Sequence, residues 1–76
     1  MTREQMAKKL FVTGPLTTLL IAATDGYVQL LEYTATRDDE TVRVTFSDNR
    51  HSDVNVSCDS KWALAQDVID AVAKWF

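Results

Sequence analysis

Thr41-Val42-Arg43-Val44-Thr45-Phe46-Ser47 alternates without a break, with Val42, Val44 and Phe46 on one side and Thr41, Arg43, Thr45 and Ser47 on the other. That is the two-residue period of a strand half-buried on a core. Asp53-Val54-Asn55-Val56-Ser57-Cys58 repeats it, with Val54, Val56 and Cys58 inward, and Asp48-Asn49-Arg50-His51-Ser52 is a polar connection of hairpin length. Pairing Ser47 with Asp53 sets Phe46 opposite Val54, Val44 opposite Val56 and Val42 opposite Cys58, so the apolar faces coincide.

Upstream, Tyr27 to Thr36 is rich in aromatic and β-branched residues, and Arg37-Asp38-Asp39-Glu40 supplies a turn. With Thr36 facing Thr41, Ala35, Tyr33 and Leu31 lie opposite Val42, Val44 and Phe46, and Glu32 sits diagonal to Arg43. Leu16 to Thr24 reads two ways. Asp25-Gly26 between apolar runs signals a hairpin turn with positive φ at both central residues, which makes the segment a fourth strand. Gly14-Pro15 can instead open a helix, because Pro at the first helical position gives up no hydrogen bond. The Thr and Ile content favours the strand.

The chain ends read as helices. Asp59 or Ser60 can cap Lys61 to Phe76, which lacks Gly and Pro, and Arg3 to Phe11 is a shorter candidate offering Met6, Leu10 and Phe11. Plotted at 100° per residue, the apolar side chains of the C-terminal segment fill an arc of about 200°, too wide for contact with one sheet alone. The excess predicts a second contact, with the N-terminal segment or another chain. Trp62 is expected in the core, and Trp75 and Phe76 are expected to be pinned by the N-terminal helix or to act as interface anchors. The predicted fold is α+β: an antiparallel three- or four-stranded β-meander with the C-terminal helix packed on one face and a short N-terminal helix, in one domain spanning residues 1–76.

Composition narrows the chemistry. The 76 residues are 46% hydrophobic and 25% charged, as in a folded chain, and carry a net charge of −3. Residues through Phe11 are net basic and the remainder acidic, which argues against direct nucleic-acid binding. A lone Cys58 rules out an internal disulfide, and with a single histidine, His51, there is no Cys/His set for zinc. Asp48, His51 and Asp53 lack the Gly and bidentate Glu of a calcium loop. Cys58, read as a buried small hydrophobe, lies about 17 Å along its strand from Asp53, too far from the His51 loop for proton transfer. With no phosphate loop and no serine elbow, no enzyme activity, metal or cofactor is expected.

Lys8 and Lys9 before Leu10 to Ala23 imitate a secretory signal, but Glu4 and the break at Thr13-Gly14-Pro15 spoil the pattern. A cytoplasmic protein with no membrane segment is expected.

Two contact surfaces emerge. The four-strand register brings Leu19 and Ile21 alongside Val28 and Leu30 on the second sheet face, an apolar patch that the N-terminal helix, a symmetry mate or a foreign protein must cover, with Trp75 and Phe76 as further anchors. The other is acidic: Glu32, Asp38, Asp39, Glu40, Asp48 and Asp53, suited to the basic nucleic-acid-binding groove of an effector protein. In size, acidity and lack of catalytic equipment the chain resembles the small inhibitors that phages and mobile elements make, anti-CRISPR proteins among them. That resemblance of type implies a protein-binding inhibitor in the host cytoplasm and designates no site residue. The alternative function is a structural or regulatory homodimer.

Overall fold

The helical start of the chain is longer than its sequence suggests. In the computed structural model, which describes all 76 residues, α1 (Arg3–Phe11) passes through a π-helical turn (Val12–Leu16) directly into α2 (Thr17–Ala23). Thr2 caps α1 reciprocally with Gln5, each side chain bonded to the other's backbone. Leu16 to Thr24 is therefore helix and not a fourth strand, which corrects the expectation drawn from Asp25-Gly26. Pro15 sits inside the helix, where it has no N–H to donate and its ring crowds the preceding turn. The wider π turn accommodates it: Thr17 donates its N–H to the Val12 carbonyl, five residues back, and its Oγ1 bonds the same oxygen at 2.6 Å.

Asp25-Gly26 does adopt positive φ at both residues, 53° and 84°. It ends a helix, however, and does not turn a hairpin. Gly26 N–H bonds the Ile21 carbonyl at 2.9 Å and Asp25 N–H bonds the Ala22 carbonyl at 3.3 Å, the paired closure of a Schellman motif. Thr24 Oγ1 completes the stop, donating to the Leu20 carbonyl and accepting from Val28 N–H. Replacing Gly26 by Ala is expected to lower stability by about 1 kcal/mol and Asp25 by Gly to raise it by a smaller amount, both readable in thermal denaturation.

Three strands follow, β1 (Val28–Ala35), β2 (Glu40–Phe46) and β3 (His51–Asn55), in one antiparallel sheet with β2 in the centre. The expected faces hold, but both registers slide by an even number of residues. Tyr33 pairs with Val42 and Leu31 with Val44, two residues from the alignment set by Thr36 and Thr41, so Glu32 stands directly across from Arg43. Val42 pairs with Val54 and Val44 with Ser52, four residues from the expected alignment. The second slide comes from a tighter turn, in which Asn49 takes φ 70° and donates its N–H to Phe46 while Phe46 donates to the Arg50 carbonyl. Cys58 is thereby pushed past the end of the strand into an exposed turn at φ 64°, not into the core.

The register of β1 against β2 shifts between Val28 and Leu30, leaving Gln29 as an extra residue. This bulge turns Val28 inward with Leu31 and Tyr33 while Leu30 faces out. Val28 is fully buried, so it cannot belong to an exposed apolar sheet face.

α3 (Lys61–Trp75) is capped by Ser60, whose Oγ accepts from Ala63 N–H. The N-terminal helix packs over β1 and α3 over β3, both on the face carrying Val42, Val44 and Phe46. Val12, Leu16 and Leu20 from one helix meet Leu64, Val68 and Val72 from the other in a single core. Arg3–Ala23 is long and apolar enough, by length and composition, to cross a membrane, a test that buried core helices and signal sequences also pass. Here its Val12, Leu16 and Leu20 stripe is spent on the core. The opposite sheet face is left uncovered.

Candidate functional site

Both helices begin near the Glu40 end of β2 and finish near its Phe46 end: Lys8 meets Glu40, and Trp75 meets Phe46. On the side away from the sheet they leave a groove of about 410 Å3. Phe11, Pro15, Leu16 and Leu19 form one wall, and Lys61, Trp62, Ala65 and Ile69 the other. Lys61 is the only charged residue lining it. Trp62 is 83% exposed and Leu19 53%, so Trp62 is not a core residue, contrary to expectation. The wide apolar arc of α3 explains the groove. Leu64, Val68 and Val72 occupy the sheet-facing part, and the surplus, Trp62 and Ile69, lines the groove opposite the N-terminal helix.

At the Glu40 end, charge is buried. Lys8 Nζ lies 2.9 Å from Glu40 Oε1, with side chains 4% and 11% exposed. The Tyr33 hydroxyl donates to the same oxygen, and the Cys58 backbone N–H also faces the carboxylate. Burial alone would raise the Glu40 carboxyl, but the hydrogen bonds from Tyr33 and Lys8 and the ammonium charge outweigh it and hold Glu40 below its ordinary value. Burial, reinforced by the Glu40 bond, pushes the Tyr33 hydroxyl up. The Glu40 backbone is bonded as well, N–H to Ser57 Oγ and carbonyl from Val56 N–H.

The six acidic candidates therefore do not form one surface. Glu40 is interior. Asp53 is bound two-pronged by Arg43 across the outer sheet face at 2.8 and 3.2 Å, and that hydrogen bond holds its carboxyl below the ordinary range. Asp48 is lowered in the same way by Arg50 within the β2–β3 turn. Glu32 adjoins Arg43, leaving Asp38 and Asp39 as the exposed acids of the β1–β2 turn.

The apolar candidates also separate. Leu19 lies in the groove, Ile21 and Leu30 are exposed on other surfaces, and Val28 is in the core. Trp75 and Phe76 close the far end, where Phe46 stacks on Tyr27 at 4.9 Å and Trp75 at 5.4 Å, Phe76 lies 5.9 Å from Tyr27, and the Arg50 guanidinium covers Trp75 at 4.8 Å. Phe46, Tyr27 and Arg50 supply these contacts. No three His, Cys, Asp or Glu side chains are grouped to hold a metal ion.

The fold is thus a two-layer αβββα arrangement, with both helices on one sheet face and an apolar groove between them. Comparison with known proteins finds no matching family model, no matching curated protein and no matching solved structure.

Proposed function

We propose that the protein is a non-catalytic binding module that receives an amphipathic helix of a foreign protein in the groove between its two helical arms. The observation that carries this reading is Trp62, 83% exposed at the lip of an otherwise apolar groove. Tryptophan at such a position leaves ~200 Å2 in water, and buried Trp residues dominate interface energetics. The walls run from Phe11 to Leu19 and from Lys61 to Ile69, each about 12 Å at 1.5 Å per residue. Two turns of a third helix match that length and meet the walls with i, i+4 and i+7 anchors. Lys61 at one end favours a carboxylate on that ligand. A flat self-dimer needs ~800 Å2 from each partner, more than Trp62, Leu19 and Ile69 supply together.

The reading extends to an inhibitor acting by occupancy in the cytoplasm, of the type phages and mobile elements make, anti-CRISPR proteins included, with Asp38 and Asp39 favouring a basic target. The second reading, a homodimer, draws on Phe76, 70% exposed, and Leu30, 48% exposed, beside unpaired sheet edges. A photo-crosslinking amino acid at position 62 in the full chain, expressed in its native cell, separates the two. Adducts to one foreign protein, mapped to an amphipathic helix and missing when the probe replaces Thr34 on the outer sheet face, support the module. A probe at Leu30 or Phe76 that gives adducts of twice the chain mass supports the homodimer, and no adduct from position 62 overturns the module.

A further inference from the structure

β3 borders the sheet, and its hydrogen-bond pattern leaves part of its backbone without a partner. Val56 N–H bonds the Glu40 carbonyl and Phe46 N–H bonds the Arg50 carbonyl, so with Val42 across from Val54 the residues that bond β2 are Ser52 and Val54. His51, Asp53 and Asn55 turn their N–H and C=O groups the other way, off the open edge. Such an edge is a template for another strand. Beside it lies a hollow of about 470 Å3, with Ser52 to Asn55 as one wall and Asp67, Asp70, Ala71, Lys74 and Trp75 of α3 as the other. At β1, the opposite border, the hollow beside the N-terminal helix touches the strand only at Ala35.

We propose that this edge takes an extended segment of a partner protein as a fourth strand, one that carries Lys or Arg where it passes Asp67 and Asp70. The two walls match in length, because His51 to Asn55 spans about 14 Å at 3.4 Å per residue and Asp67 to Trp75 about 12 Å at 1.5 Å per residue. Backbone bonds to the edge supply affinity, and the alternate side chains that point toward α3 are read by its flank. The groove at Trp62 is lined by other residues of α3, so the two sites are independent.

Space and charge choose the occupant. α3 lies over β3, and a second copy paired edge to edge about a two-fold axis would carry its own α3 on the same face. The two helices would then stand about 5 Å apart by the strand spacing, where packed helices need about 8–10 Å. Only a strand with no helix on that face fits. Asp53 is already bonded by Arg43, but Asp67 and Asp70 are exposed and belong to no ion pair. Asp70 receives only the Gln66 amide, at 3.1 Å. Lys74 is the one cation lining the hollow, so an incoming segment meets two free carboxylates against one ammonium.

The probe is a capped synthetic hexapeptide of alternating arginine and valine, titrated into the isotope-labelled full chain. The His51, Asp53 and Asn55 amides are expected to shift and to gain protection from hydrogen exchange. The same peptide with glutamate for arginine should bind about tenfold more weakly, and the Asp67→Lys, Asp70→Lys double variant should reverse that preference. No shift of the three β3 amides, or shifts confined to Phe11, Trp62 and Ile69, overturn the site. Equal binding of the two peptides overturns the choice of a basic ligand. Protection of the same amides that grows with protein concentration in the chain alone assigns the edge to a second copy and overturns the proposal.

Discussion

Lys8→Ala is expected to destabilise the protein by about 3–5 kcal/mol, the size of loss seen when one partner of a buried ion pair is removed. Glu40, 11% exposed in the parent, would be left with its charge facing only the Tyr33 hydroxyl and a backbone N–H. In a 76-residue chain each kcal/mol moves the melting temperature by about 4–8 °C, so the loss is visible in any thermal scan. The matching apolar replacement, Lys8→Met with Tyr33→Phe and Glu40→Met, should recover most of the deficit, because buried ion pairs are often no better than well-packed hydrophobic residues of similar volume. The pair's contribution would then lie in specificity: Lys8 bonds β2 at one point only, which fixes how the N-terminal helix sits along the sheet. A recovered triple variant with a broadened amide spectrum is the expected signature. A Lys8→Ala protein as stable as the parent would contradict the burial of that pair.

The second large effect is Phe46→Ala, with an expected loss of about 3–5 kcal/mol from deleted contacts and the cavity left behind. Phe46 is fully buried at the point where the sheet meets the C-terminal aromatics, touching Tyr27 at 4.9 Å and Trp75 at 5.4 Å. Its removal should free the last turn of α3 as well as weaken the core, so hydrogen exchange at Trp75 and Phe76 is expected to rise together with the fall in denaturation midpoint. Trp62→Ala is the control. It changes a larger side chain, yet an exposed one, and its stability should stay within ~0.5 kcal/mol of the parent.

What could be read from the chain follows from how each signal works. Alternation in Val42, Val44, Phe46 and in Val54, Val56 identifies which side chains face inward, and a slide by two or four residues leaves that parity intact. Register was not legible, because it was set by the left-handed Asn49 in one turn and by the Thr36–Asp39 turn, closed by the Thr36 N–H on the Asp39 carbonyl, in the other. Asp25-Gly26 specifies two residues of positive φ, a requirement shared by a hairpin turn and by a Schellman stop, and only the tertiary fit of Leu16 and Leu20 on β1 chooses between them. Pro15 reads as the first residue of a separate helix, whereas a π turn carries one continuous helix through it.

The candidate site was half legible. The surplus width of the apolar arc on α3 announced a contact beyond the sheet, yet placed Trp62 in the core, because angle alone does not say how far the neighbouring helix reaches. Glu40 reads as part of the acidic surface and Lys8 as part of a short basic start, because both are charged. Each nonetheless continues an inward row, Lys8 one turn before Val12 and Glu40 two residues before Val42. That continuation was the available signal.

The account depends on Trp62 standing in water at the mouth of an unfilled groove. Fluorescence of a Trp75→Phe protein, in which Trp62 is the sole tryptophan, tests this in dilute solution by emission wavelength and iodide quenching. Emission like that of free tryptophan in water, quenched nearly as efficiently, is the predicted result. A blue-shifted band shielded from iodide at every dilution would contradict it.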